Sequence, residues 1–128
     1  MTRGWFVQPT VFADVDNNQT IAREEIFGPV LSIIPYNGDD DAVAIANDSE
    51  YGLAGTVWTS DPHHGAAMAK RVQTGSIGIN HFRLDAAAPF GGFKASGLGL
   101  ELGPEGLASH LQLQSIFKGP PPEQVATP

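Results

Sequence analysis

Apolar runs and alternations divide the chain into short segments. Trp5 to Val15 carries aromatic and β-branched side chains (Trp5, Phe6, Val7, Thr10, Val11, Phe12), the pattern of an extended segment, and Pro9 marks an edge or a bend. Asp16-Asn17-Asn18 is a turn cluster. Thr20 stands where it can cap a short helix from Ile21, with Glu24 and Glu25 within it and Gly28-Pro29 as its stop. Val30 to Ile34 is a compact apolar run, the pattern of a strand covered on both faces. Asn37 to Asp41 turns into a helix carrying Ala42, Val43, Ile45 and Ala46, with carboxylates at its positive end. Leu53 to Thr59 returns as a strand. Asp61-Pro62 is a helix start, an N-cap acceptor followed by proline at the first helical position. That helix presents Ala66, Ala69 and Val72 on one face and stops near Gly75. Ser76 to Asn80 is a further strand, and His81 to Gly103 is glycine-rich and irregular. Pro104 and Glu105 open a last helix, and Leu111 to Phe117 alternates with Gln112 and Gln114 as a closing strand. Residues 118–128 read as a disordered tail. Strands and helices alternating at this spacing predict an α/β fold built from βαβ units on a parallel sheet.

Composition narrows the function. The 128 residues hold 7 Lys plus Arg against 14 Asp plus Glu, a formal net charge of -7. That balance argues against nucleic acid or an anionic membrane surface as partner. Cysteine is absent, which removes disulfides, thiolate metal sites and a cysteine nucleophile from these residues. No apolar window approaches the ~20 residues of a membrane helix, and no signal-peptide pattern opens the sequence. A cytoplasmic location is expected.

Most candidate motifs reduce to ordinary chemistry. His63 and His64 are adjacent, so on a helix they point apart and cannot share a metal. His81 and His110 stand alone, and no metal site is expected. Gly97-x-Gly99-x-x-x-Gly103 has one residue too many for a dinucleotide fingerprint and follows no strand. Asp39-Asp40-Asp41 reads as a helix-start acid cluster. Glu24-Glu25 ahead of Ile26-Phe27-Gly28-Pro29 is less ordinary, because a carboxylate buried beside an aromatic and a rigid turn needs donors to meet it, although the residues by themselves favour ordinary helix charges.

Longer blocks carry a family resemblance. Gly4 to Phe12 (GWFVQPTVF), Glu24 to Val30 (EEIFGPV), Asn47 to Thr59 (NDSEYGLAGTVWT), Gly75 to Asn80 (GSIGIN), Pro89 to Gly97 (PFGGFKASG) and Glu101-Leu102-Gly103 together resemble the C-terminal part of the NAD(P)-dependent aldehyde dehydrogenases. The blocks run in order from Gly4 to Phe117. The resemblance implies that residues 1–117 are the C-terminal part of such a catalytic domain, with 111–117 as an oligomerisation strand. It implies that Glu25 accepts hydrogen bonds from the nicotinamide ribose hydroxyls, that Phe27 packs beside the same ribose, and that Phe90 borders the aldehyde funnel. Glu101 resembles a buried carboxylate near the active site. Leu100 departs from the arginine common before that glutamate, which weakens any transfer of subunit-interface salt bridges.

The resemblance also places the thiolate nucleophile and the general base upstream of these residues. No catalytic residue is therefore assigned here, and the chain alone is expected to be inactive. The implied parent activity is oxidoreductase chemistry, an aldehyde oxidised to an acid with NAD or NADP. Its partners would be the aldehyde, the upstream part and a sister subunit. The alternative is a non-enzymatic remnant acting as an interaction or oligomerisation module.

Overall fold

The computed structural model describes residues 3–120, and the far end of the expected tail, 121–128, lies outside the described residues. In chain order the elements are β1 (Thr10–Phe12), α1 (Thr20–Arg23), β2 (Val30–Ser32), α2 (Asp39–Asn47), β3 (Ala54–Val57), α3 (Pro62–Ala69), β4 (Ser76–Ile79), one 3-10 turn (Lys94–Ser96) and α4 (Gly103–Ala108). The α/β class expected from the sequence is the one observed. The parallel pairing is confirmed with one correction, since the strands form two ladders instead of one sheet. β1 pairs with β2 in the register Thr10↔Val30 to Phe12↔Ser32, and β3 pairs with β4 from Ala54↔Ser76 to Val57↔Ile79. Each pair is closed by a crossover through a helix, as parallel strands require. α2 links the two ladders without pairing β2 to β3.

Local chemistry explains most boundaries. Asp61 Oδ1 accepts from the His63 amide at 2.8 Å, and Pro62 takes the first turn of α3, as expected. Gly65 lets α3 lie close against β4, since a Cβ there would stand 2.8 Å from Ile79 Cγ2. Asp39 and Asp40 do more than face a helix dipole. They bind across to α3 and the residues after it, Asp39 to His64 at 2.7 Å and Asp40 to Arg71. β4 ends on Asn80, a left-handed residue (φ 55°) whose carboxamide takes over the ladder. Asn80 Oδ1 accepts from the Thr59 amide at 2.7 Å, and its Nδ2 donates to the Thr59 carbonyl at 2.6 Å.

Three sequence expectations need correction. α1 holds four residues, with Gln19 as its N-cap and no side-chain cap, so Thr20 lies inside the helix. The chain leaves it at Glu24 (φ −101°, ψ 140°), so Glu25 sits on extended backbone. The strand expected over Val30 to Ile34 stops at Ser32, and its apolar positions stand open in this chain, with Leu31 59% exposed and Ile33 exposed too. The strand expected at 111–117 does not form within this chain. A strand needs a neighbour, and among the described residues nothing pairs with this segment, whose Leu113 and Phe117 are fully open.

Buried hydrophobic residues among those described are Val15, Val43 and Met68. The chain exposes 10910 Å² of accessible surface, whereas a self-contained monomer of 13.5 kDa exposes about 6,500 Å². Among the described residues no helix is long and apolar enough to cross a membrane.

Candidate functional site

The segment after α1 is built to display its side chains. Phe27 is held at φ 53°, a left-handed conformation that costs a bulky residue about 1–3 kcal/mol. A tight turn follows, in which the Val30 amide donates to the Gly28 carbonyl at 2.8 Å across Pro29. The Pro29 carbonyl in turn accepts from the Thr10 amide at 2.9 Å, fixing the turn to β1. Ahead of this turn Glu25 is exposed, and among the described residues no donor reaches its carboxylate. The Phe27 ring is 92% exposed. An unpartnered carboxylate beside a bare aromatic ring is suited to a ligand carrying hydroxyls and an apolar face. Glu25 lines one cavity of about 330 Å³ with Arg23, Tyr51, Leu53 and Ser96, and a second of about 410 Å³ with Phe27 and residues of β2.

Phe90 and Glu101 meet through their backbones. Each amide donates to the other's carbonyl at 2.7 Å, an antiparallel bridge that closes the glycine-rich loop. Half-buried Phe90 borders a cavity of about 290 Å³ shared with Phe82, Leu84 and Ser76 to Gly78 of β4. It also borders one of about 440 Å³ with Leu53, Ser96 and Glu101. The Glu101 side chain is exposed, where the resemblance implied a buried carboxylate, because this chain supplies only the backbone bridge beside it. Leu53 and Ser96 line both the Glu25 cavity and a Phe90 cavity, so the two halves of the candidate site adjoin there.

Sequence reasoning missed the polar cluster between these halves. Arg23, the last residue of α1, pairs with Asp48 at 2.6 Å, and Asn17 Nδ2 donates to the same carboxylate at 3.0 Å. The hydrogen bond from the Arg23 guanidinium, aided by its charge, holds the Asp48 carboxyl below the usual carboxylate range, and the same bond raises Arg23. Lys94 Nζ donates to the carbonyls of Asn47 at 2.6 Å and Ser49 at 3.0 Å. The detectable signal was positional: the last carbonyls of a helix attract cations, and the helix expected over 42–46 has none of its own there.

Comparison with known proteins places this architecture. Residues 1–116 match the aldehyde dehydrogenase family, and the chain belongs to that family. It is 63% identical over 115 residues to geranial dehydrogenase of Castellaniella defragrans, covering 90% of this chain and 24% of that protein. Among solved structures it resembles Mycobacterium tuberculosis aldehyde dehydrogenase complexed with NAD+ (TM-score 0.83, 60% identity, 85% of this chain and 23% of that one). It also resembles a variant of Pseudomonas syringae aldehyde dehydrogenase C complexed with NAD+ and octanal (TM-score 0.82, 46% identity, 85% and 22%). The chain spans about a quarter of the length of the relatives it matches.

Proposed function

We propose that this chain supplies the nicotinamide-ribose grip and one wall of the aldehyde channel to an aldehyde dehydrogenase catalytic unit working with NAD or NADP in the cytoplasm. The observation that carries this reading is the unpartnered Glu25 carboxylate beside the bare Phe27 ring, in a family member whose relatives were solved with NAD+. Glu25 offers two acceptor oxygens, which suit a vicinal diol. Phe27 offers an apolar face, and its strained backbone keeps the ring outward. Phe90, Phe82 and Leu84 border one cavity and Phe90 and Glu101 an adjoining one, which supports an aldehyde path along Phe90. The nicotinamide, when bound, is the oxidant of the reaction. A thiol nucleophile is absent from these 128 residues, so covalent attack on the aldehyde falls to other residues of the catalytic unit. The exposed apolar face of β1 and β2 supports a role within a larger fold.

A second reading, an interaction module without catalysis, draws on the bare Leu111, Leu113, Ile116 and Phe117. A chimera separates the two. Residues 3–117 replace the matching quarter of the Castellaniella enzyme, and cofactor reduction by an aldehyde is followed by absorbance. Glu25→Gln keeps the size but removes charge-assisted bonds worth about 1.5–3 kcal/mol, so kcat/KM for the cofactor falls about 10- to 100-fold. Unchanged cofactor kinetics in that variant would remove Glu25 from the site.

A further inference from the structure

The polar cluster at the end of α2 lies outside the roles assigned to Glu25, Phe27, Phe90 and Glu101, yet it touches the segments that carry them. Three consecutive carbonyls, those of Asn47, Asp48 and Ser49, leave α2 unpaired by the helix itself. The Arg23 guanidinium takes the Asp48 carbonyl as well as its carboxylate, and Lys94 takes the carbonyls on either side. Arg23 lies two residues before Glu25. Lys94 lies four residues after Phe90 and is held at φ 54°, a strained conformation that its two carbonyl bonds help to fix. Backbone bonds reinforce the second arm: the Ala95 amide donates to the Glu50 carbonyl at 3.0 Å and the Phe93 amide to the Gly52 carbonyl at 2.8 Å.

We propose that the Arg23–Asp48–Lys94 cluster is a positioning clamp that registers the cofactor-side segment and the aldehyde-side loop on one shared anchor, the C-terminus of α2. The proposal rests on the function assigned above to those two segments. Arg23 borders the Glu25 cavity but commits its guanidinium to Asp48 and Asn18, while Asp48 and Lys94 lie outside the cavities described above. Arg23 and Asp48 are partly solvent-exposed, so their pairing adds little to global stability. Its worth is geometric, because a forked guanidinium on a carboxylate and a carbonyl fixes direction as well as distance. A displacement of either arm is passed to the other through the same three residues.

The diagnostic is an effect on the opposite side. In the chimera, Lys94→Met raises KM for NAD+ and Arg23→Met raises KM for the aldehyde, each about 3- to 10-fold, less than the loss of a charge-assisted bond made to the ligand itself because the effect is passed through the anchor. Arg23→Lys restores the charge without the fork and rescues part of the loss. Amide exchange gives a ligand-free measure. Lys94→Met speeds exchange at Glu24, and Arg23→Met speeds it at Ala95, with the amides of β4 unchanged. Effects confined to each variant's own side, or acceleration spread over the whole chain, would overturn the clamp. If the unsubstituted chimera binds no NAD+, the functional reading fails, and the exchange data alone decide the clamp.

Discussion

A single methyl group at Gly75 tests how tightly the glycine-rich loop is seated. Its Cβ would overlap the Gly91 carbonyl oxygen and stand 2.6 Å from the Gly91 carbonyl carbon and 3.1 Å from Gly92 Cα. All three are backbone atoms, so no side chain can turn aside. Gly75 cannot retreat either, because its amide donates to Gly52 at 3.1 Å and the next amide, Ser76, to Leu53 at 3.2 Å. The loop must therefore lift. Overpacking costs about 1–3 kcal/mol, and strain or loss at the Phe93–Gly52 and Ala95–Glu50 bonds adds about 0.5–1.5 kcal/mol for each one broken. The expected penalty is about 2–4 kcal/mol, which speeds amide exchange at Phe93 and Ala95 at least ~30-fold. Gly99→Ala is the control, since a Cβ there meets nothing within 4 Å, and its effect stays within about 0.5 kcal/mol. Equal exchange in the two variants, measured side by side in the chimera, would refute the tight seating of the loop on Gly75.

Three further outcomes follow from the same features. Incubated alone with NAD, NADP and a panel of aldehydes, the 128-residue chain shows no reduced cofactor by absorbance, because it has no cysteine to attack the carbonyl; turnover that survives repurification would contradict this. The isolated chain self-associates and binds a hydrophobic dye, since its exposed surface is about two-thirds larger than a closed monomer of its mass would show; a dye-silent monomer in sedimentation would show that it closes its own core. Asp48 titrates below its ordinary value of 3.8, so the stabilisation from its pairing is complete above that pH and is lost as pH falls through the lower, folded value; carboxyl NMR gives the midpoint, and Arg23→Met returns it toward 3.8.

What could be read from the sequence was what neighbours in sequence decide. Asp61-Pro62 starts α3 because both the cap and the fixed proline φ are local. Val30, Ala54 and Ser76 begin strands within the segments expected because short apolar runs between turn residues have few alternatives. Local signals failed where tertiary bonds compete. Thr20 has capping chemistry, but Asp16 and Gln19 organise the turn before α1, with the Gln19 amide donating to the Asp16 carbonyl, and displace the cap by one residue. The apolar run at Val30 has the pattern of a doubly covered strand, and the relatives it matches are about four times longer than this chain. The Phe90–Glu101 bridge and the Arg23–Asp48–Lys94 cluster pair residues 11 to 47 positions apart, and no periodicity encodes such pairings. Family likeness suggested Glu25, Phe27, Phe90 and Glu101, whereas only the fold shows that Leu53 and Ser96 line cavities on both sides.

Asn80 has a consequence for how this fold can diversify. Its carboxamide stands in for a peptide unit, giving Thr59 the donor and acceptor that another strand residue would have given. The main chain is thereby free to leave the ladder at that point while the ladder keeps its last rung. His81 and Phe82 fold back against Gly78 and the Gly103 amide holds the Ala86 carbonyl at 3.1 Å, so it is at Arg83 and Leu84, between these two anchors, that length and composition can change without shifting the β3–β4 register. A side-chain terminator of this kind separates the ladder from the loop that follows it, and grafts of unequal length at Arg83 and Leu84 should leave Thr59 protected so long as the asparagine is kept.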